Sequence, residues 1–280
     1  MAELYVENPL EFWCCNYGLS GADVVFLGVP FDGTSAFRTG SREAPNRIRQ
    51  MSYSLETFSP RSGRDLKGLK MMDYGNVAVC FGDTGETLRR AKATVDGISG
   101  KFLAVTGGEH IITLPVVQSL LRKHPKLQVL QFDAHLDLKD EASGNRYTHA
   151  TVMRRLSEVL GKKRIIQCGA RSFSPEEKAF ADRNTVVKSP ENLRDFEING
   201  PVYVTVDMDV FDPGFAPGVS TPEPGGLSPA EFFGLLEALR GRLDVVGFDV
   251  VEVCPPHDHG DAASLLAAGV MKQMLLAFRQ

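Results

Sequence analysis

Residues 129–140 read "VLQFDAHLDLKD", an apolar run fit for burial that ends in Asp133, His135 and Asp137. In an extended chain successive side chains alternate faces, so these three point the same way. Three ionisable groups on one buried face are costly unless something pairs with them, and a cation is the simplest partner. Whether the run is one strand of a sheet depends on what the rest of the chain repeats.

The pattern recurs. "DVVFLGV" (23–29), "KFLAVTG" (101–107), "LQVLQFD" (127–133), "RIIQCGA" (164–170), "VYVTVDMD" (202–209) and "DVVGFDVVEV" (244–253) read as strands buried on both faces. The segments 84–98, 112–124, 149–161, 174–184 and 228–241 read as helices, and 261–280 as a last one packed on the sheet. Ser174 and Ser228 stand where N-caps belong, with Glu177 and Glu231 three residues on as capping-box partners. Strand then helix, repeated, implies right-handed βαβ units. The expected fold is α/β, a mostly parallel central sheet covered by helices on both faces. No linker, low-complexity tract or repeat divides the chain, so residues 1–280 are expected to form a single domain.

Composition narrows the function. With 43% hydrophobic and 24% charged residues the chain has enough apolar material for a large core. A net charge of −4, a pI near 5.9 and no Lys/Arg block exclude a nucleic-acid footprint. The N-terminal "MAELYVENPLEFWCCNYG" has no basic start followed by an apolar core, so no signal peptide is expected. No uninterrupted apolar run approaches ~18 residues, so no membrane span is expected. Cys14, Cys15, Cys80, Cys168 and Cys254 fit neither a disulfide framework nor a CxxC zinc pair. The chain reads as cytoplasmic.

In parallel sheets ligands gather beyond the carboxyl ends of the strands, and the polar clusters of this chain fall there. "AVTGGEH" runs off one strand to Glu109 and His110, "LQFDAHLD" off another to Asp133, His135 and Asp137, "TVDMDVFDP" off a third to Asp207, Asp209 and Asp212, and "VVEVCPPHDHG" off a fourth at Glu252. Alone, a DxD is commonly a turn or a cap. Together, Asp133, Asp137, Asp207 and Asp209 repel one another too strongly to share one crevice as anions unless multivalent cations neutralise them. With His110 and His135 they are too many ligands for one ion and suit two. Oxygen-rich donors with some imidazole favour Mn²⁺, with Co²⁺, Fe²⁺ or Zn²⁺ as alternatives. A metal pair about 3.5–4 Å across acidifies a shared water, which is hydrolytic chemistry. No GxGxxG fingerprint follows the first strand, which disfavours a dinucleotide-binding redox protein.

"GGEH", "DAHLD", "THAT", "DMDVFDP", "STPEPGG" and "VEVCPPHD" resemble, in order and spacing, the motifs of the ureohydrolases, the arginase and agmatinase superfamily. The resemblance runs from "GVPFDGTSAFRTGSREAPNRIR" (28–49) to the last helix. It implies a three-layer α/β/α fold, two Mn²⁺ per subunit, and hydrolysis of a guanidino group to urea and an amine. It further implies that His110, Asp133, Asp137 and Asp207 ligate one ion and His135, Asp133, Asp207 and Asp209 the other. Asp137 would pass a proton to the leaving amine, His149 would shuttle protons near the mouth, and Glu252 would pair with the guanidinium. A trimer or hexamer is expected by the same resemblance.

The Asn-Thr-Pro run of arginases is absent after Asp137, where this chain has "LKDEASGNRYTH", and 221–226 and 252–258 resemble agmatinase forms more closely. His257 stands where Tyr is common, and Ile111 where Ser or Thr is frequent. The expected substrate is agmatine, a small cation cleaved to putrescine and urea. Thr221 and Glu252 are expected to bind it, with Glu223, Asp258 and Asp140 as candidates to meet its ammonium end. The alternatives are N1-aminopropylagmatine, guanidinobutyrate, arginine or formiminoglutamate, and a non-catalytic metal-binding homologue.

Overall fold

A computed structural model describes residues 6–7, 10–98 and 100–279. Its centre is a nine-stranded sheet. In chain order the strands are β1 (Val6–Glu7), β2 (Val24–Val29), β5 (Met71–Val77), β6 (Phe102–Gly107), β7 (Gln128–Phe132), β8 (Ile165–Cys168), β9 (Val186–Lys188), β10 (Pro201–Asp207) and β11 (Asp244–Val251), while β3 (Phe58–Ser59) and β4 (Arg64–Asp65) form a small hairpin apart. Across the sheet the order is β1-β5-β2-β6-β11-β10-β7-β8-β9, parallel throughout except for β1 at one edge. The helices are α1 (Ala44–Ser52), α2 (Thr84–Gly97), α3 (Thr113–Leu121), α4 (Val152–Leu160), α5 (Pro175–Asn184), α6 (Pro190–Arg194), α7 (Pro229–Leu239) and α8 (Ala262–Phe278).

Period-two alternation sends each central strand's side chains into two separate cores. Val24 and Phe26, Leu130 and Phe132, and Val202, Val204 and Val206 pack with residues of α1, α7 and α8. Val25 and Leu27, Val129 and Tyr203 pack with residues of α2, α3 and α4. Two cores with one sheet between them make the expected three-layer α/β/α arrangement. Ser174 and Ser228 cap α5 and α7 in full capping boxes with Glu177 and Glu231.

Strand β5 and helix α1 are absent from the sequence reading, for one shared reason. "MMDYGNV" carries Asp73, Gly75 and Asn76 and so lacks an apolar run, yet all but Met72 are buried. Arg49 of α1, fully buried, bonds Asp73 through Nε and Nη2 at 2.8 and 2.9 Å, Asn76 Oδ1 at 2.6 Å and the Gly75 carbonyl at 3.0 Å. The polar residues of β5 belong to one buried guanidinium cluster that ties α1 to the sheet.

The segment His259–Phe278 is long and apolar enough to cross a membrane, with a mean hydropathy of 1.3, but 61% of that window is buried within the protein. Its apolar residues, among them Val270, Met271 and Met274, serve the core instead.

Replacing Asp73 by Ala leaves Arg49 charged and unpaired in the interior. The expected cost is about 3–5 kcal/mol, read as a lower midpoint in urea unfolding. A loss below about 1 kcal/mol would show that the cluster contributes only packing.

Candidate metal centre

Four neighbouring central strands, β6, β11, β10 and β7, end side by side at one sheet edge. Just beyond β6, Gly108 runs against the end of β2. A Cβ built there would lie 1.9 Å from the Phe31 carbonyl oxygen, so only glycine admits the bonds Gly108 N–H to Val29 O and Glu109 N–H to Phe31 O. This close approach turns the chain so that His110 opens a short turn into α3.

His110 Nδ1 is buried with no hydrogen-bond partner among the described residues, yet lies 3.2, 3.1 and 3.3 Å from carboxylate oxygens of Asp133, Asp137 and Asp207. Its Nε2 meets Thr205 Oγ1 at 2.8 Å, and that hydroxyl donates to the buried Asp249. Thr205 therefore accepts from Nε2–H, which leaves the Nδ1 lone pair facing three acceptors. A lone pair and three carboxylate oxygens converging this closely fit a cation.

The second group is adjacent. His135 Nδ1 lies 2.9 Å from Asp209 Oδ2 and 3.5 Å from Asp133 Oδ1. The ligand atoms of His110, Asp133 and Asp207, and those of Asp133, His135 and Asp209, each fall within 4.8 Å of one another. Asp133 is common to both groups, one oxygen to each, whereas Asp207 joins only the first. Asp209 also accepts from Ala134 N–H at 3.0 Å, which locks the turn after β10 against the loop after β7.

Asp137 and Glu252 have φ of 52° and 67°, the left-handed region that non-glycine residues rarely enter. Such a conformation costs about 1–3 kcal/mol and persists where packing over-determines it. Here it turns both carboxylates inward. Glu252 Oε1 accepts from His110 N–H at 2.7 Å, and Glu252 makes no ion pair among the described residues. His149, on the turn before α4, is one-fifth exposed with its Nδ1 4.0 Å from Glu109.

These groups line a cavity of about 390 Å³. Asp137, Asp207, Asp209, His135, His149, Thr221, Glu223 and Glu252 all reach it. Glu223 lies 3.7 Å from His135 Nε2 and accepts from Ser172. Asp258 is not part of the lining, because its carboxylate accepts from Ala263 N–H, Ser264 N–H and Ser264 Oγ at the start of α8. Asp140 is likewise outside, paired with Arg155 at 2.6 Å.

Sequence reasoning gave no role at the site to several residues. Glu109 is wholly buried and accepts from Thr34 N–H, Thr34 Oγ1 and Ser35 Oγ, anchoring the 31–39 loop whose Phe37 walls the cavity. Glu177, already named as a capping partner, also accepts from Leu138 N–H at 3.2 Å and holds the ligand loop to α5. Lys139 lines the mouth. Only Glu109, inside "GGEH", carried a signal in the sequence.

Residues 22–277 match the profile of the arginase family. The chain belongs to the arginase family. It is 37% identical over 267 residues to an agmatinase of Bacillus subtilis (strain 168), covering 92% of each chain. It is 33% identical to a guanidinobutyrase of Pseudomonas aeruginosa, over 97% of this chain and 89% of that one. Among solved structures it resembles the agmatine ureohydrolase of Thermoplasma volcanium, with a TM-score of 0.84, 31% identity, and 97% and 95% of the two chains covered. Arginase-family membership and the donor set agree on a metal-dependent hydrolase of guanidino groups.

Without ions, burial pushes Asp137 up to about 6, with the Asp133 charge adding, and Glu109 up to about 7, with Glu252 adding. Burial likewise lifts Glu252 to about 7. A carboxyl with a raised folded pKa binds more protons native than unfolded. Its stabilisation is therefore full below its ordinary value and lost as pH rises through the folded value. Ordinary values of 3.8 and 4.5 set the lower bound of the window. The chelator-stripped protein is expected to melt at progressively lower temperature as pH rises from about 4.5 to about 7, and a divalent cation to offset that loss by displacing the protons. Melting midpoints across this window check it, and a flat or rising profile for the stripped protein would refute it.

Proposed function

We propose that the chain hydrolyses the guanidino group of agmatine to putrescine and urea at a pair of Mn²⁺ ions. One ion would be held by His110, Asp133, Asp137 and Asp207 and the other by His135, Asp133 and Asp209, with Asp207, which joins only the first group here, as the expected further ligand of the second. The observation that carries the reading is Glu252, a buried carboxylate without an ion-pair partner among the described residues, aimed at the same crevice as both ligand groups. It calls for a cation from outside, and a guanidinium meets a carboxylate in a planar fork.

Bound there, the ions would supply Lewis-acid charge and acidify water at the site. Glu252 holds the guanidinium carbon over the ligand groups, which replaces a bimolecular encounter by a fixed approach. Asp137 presents its carboxylate to the cavity, where it can take and return a proton. The departing amine must leave protonated, and Asp137 lies in the cavity where that proton is needed. His149 reaches both cavity and solvent and serves as the exchange point. Residues 1–280 acting as one cytoplasmic catalytic unit, assembled as a trimer or hexamer, belong to the same proposal, supported by the family match over 22–277.

Of the carboxylates considered for the ammonium end, Glu223 is the one that lines the cavity. A second reading rests on Lys139, a cation at the mouth that would favour a substrate ending in a carboxylate, such as guanidinobutyrate.

The test is urea release by the Mn²⁺-loaded protein with agmatine, aminopropylagmatine, guanidinobutyrate and arginine side by side. Agmatine is expected to give the highest kcat/KM, and Glu252→Gln to lower it by about a hundred- to a thousandfold with both ions retained. Preference for guanidinobutyrate would select the Lys139 reading, and urea from none would end both. Glu223→Gln is expected to raise KM for agmatine by about tenfold with kcat changed much less. An unchanged KM would remove Glu223 as the ammonium partner.

A further inference from the structure

Two glutamines lie inside the sheet among apolar neighbours. Gln131 on β7 and Gln167 on β8 are register partners, and both are buried. A buried primary amide left unbonded is costly, so the destination of each of its groups matters. Gln167 Nε2 donates to the Leu136 carbonyl at 2.8 Å and to Gln131 Oε1 at 2.6 Å. Gln131 Nε2 donates to Asp133 Oδ2 at 2.5 Å. Thr185, buried just before β9, donates to Gln167 Oε1 at 2.8 Å.

The amide orientations follow from both ends of this chain of bonds. A backbone carbonyl and a carboxylate only accept, so the amide atom facing Leu136 O, and the one facing Asp133, must be nitrogen. Every donor then points one way, from Thr185 through Gln167 and Gln131 to Asp133, the arrangement in which successive hydrogen bonds polarise one another.

We propose that Gln131, Gln167 and Thr185 form an uncharged relay that positions the shared ligand Asp133 and thereby sets the affinity of both half-sites for divalent cations; this rests on the metal-centre reading above. Asp133 presents Oδ2 to His110 and Oδ1 to His135, so rotation of its carboxylate disturbs both groups together. Gln167 holds the Leu136 carbonyl as well, fixing the backbone between His135 and Asp137. Neutrality matters here. A Lys or Arg in place of Gln131 would orient Asp133 equally well but would neutralise the charge that the ions require.

The test compares Gln131→Met, Gln167→Met and Thr185→Val with the unaltered chain. Mn²⁺ dissociation constants are measured by equilibrium dialysis, and melting midpoints on the chelator-stripped proteins. Gln131→Met is expected to bind Mn²⁺ about 10- to 100-fold more weakly, with the remaining variants between it and the unaltered chain. A merely structural role would lower the metal-free midpoint and leave affinity unchanged, and that result overturns the relay. Should Gln131→Met fail to fold, Thr185→Val, nearly isosteric and at the far end, decides. Binding about two- to fivefold weaker upholds the relay, and unchanged binding overturns it. If the unaltered chain binds no Mn²⁺, the metal centre itself falls, an outcome distinct from equal binding by all four proteins.

Discussion

Four aspartates and two histidines share one buried crevice, and the rest of the architecture is arranged around the cost of holding them there. Burial alone pushes the carboxyls of Asp137, Asp207 and Asp209 upward, and each then feels a neighbouring aspartate. Asp133 differs. Burial raises it too, but the imidazoles of His110 and His135 beside it outweigh that and hold it below the usual range. It is the anion about which the others are organised, and it is the one that both ligand groups share. A rigid frame is needed to keep like charges this close. It comes from placing them at the ends of β6, β10 and β7, with β11 between β6 and β10, in the middle of the sheet, where both cores press on the backbone.

A second layer of polar groups stands behind the ligands, inside the sheet. Asp249 accepts from Thr113, Tyr203 and Thr205, and Thr205 in turn fixes the ring of His110. Asp249 is wholly buried, and Tyr203 beside it sits in the opposite core from the other inward residues of β10. Polar side chains thus run through the hydrophobic layers from the ligand edge, each satisfied by the next. Partly satisfied, such a network would be worse than an apolar core, so its completeness is itself a structural requirement.

Much of this was legible in the sequence, where a residue's role is written in periodicity. The six strands named there all form, with ends shifted by no more than two residues, because two-sided burial leaves an unbroken apolar run. The capping boxes of α5 and α7 were legible from side-chain type and spacing alone. Strand β5 was not, because its polar residues answer to Arg49, 24 positions away in the chain, and no local pattern encodes that partnership. The left-handed turns at Asp137 and Glu252 were invisible for a related reason, since neither is a glycine. Gln131 and Gln167 lay in plain view inside predicted strands, but their purpose depends on a register that only the folded sheet supplies.

The division of labour between strands and loops bears on substrate choice. Every ligand candidate sits at a strand end or within the few residues that follow it, in segments tied down by bonds such as Ala134 N–H to Asp209 Oδ1 and Glu252 N–H to the Gly108 carbonyl. The mouth is built otherwise. Phe37, two-thirds exposed, stands on the loop held by Glu109, and Lys139, Phe173 and Glu223 stand on separate connections. Loops tolerate change that strand ends do not, because few buried contacts constrain them. An agmatinase and a guanidinobutyrase can therefore resemble this chain to nearly equal degrees, at 37% and 33% identity. The ligand candidates of this chain stand instead at strand ends, where one substitution disturbs two cores and a charge cluster. Lys139 and Glu223, of opposite sign, both line the cavity from such loops, and under the function proposed above they are the groups that would choose the charge at the substrate's far end.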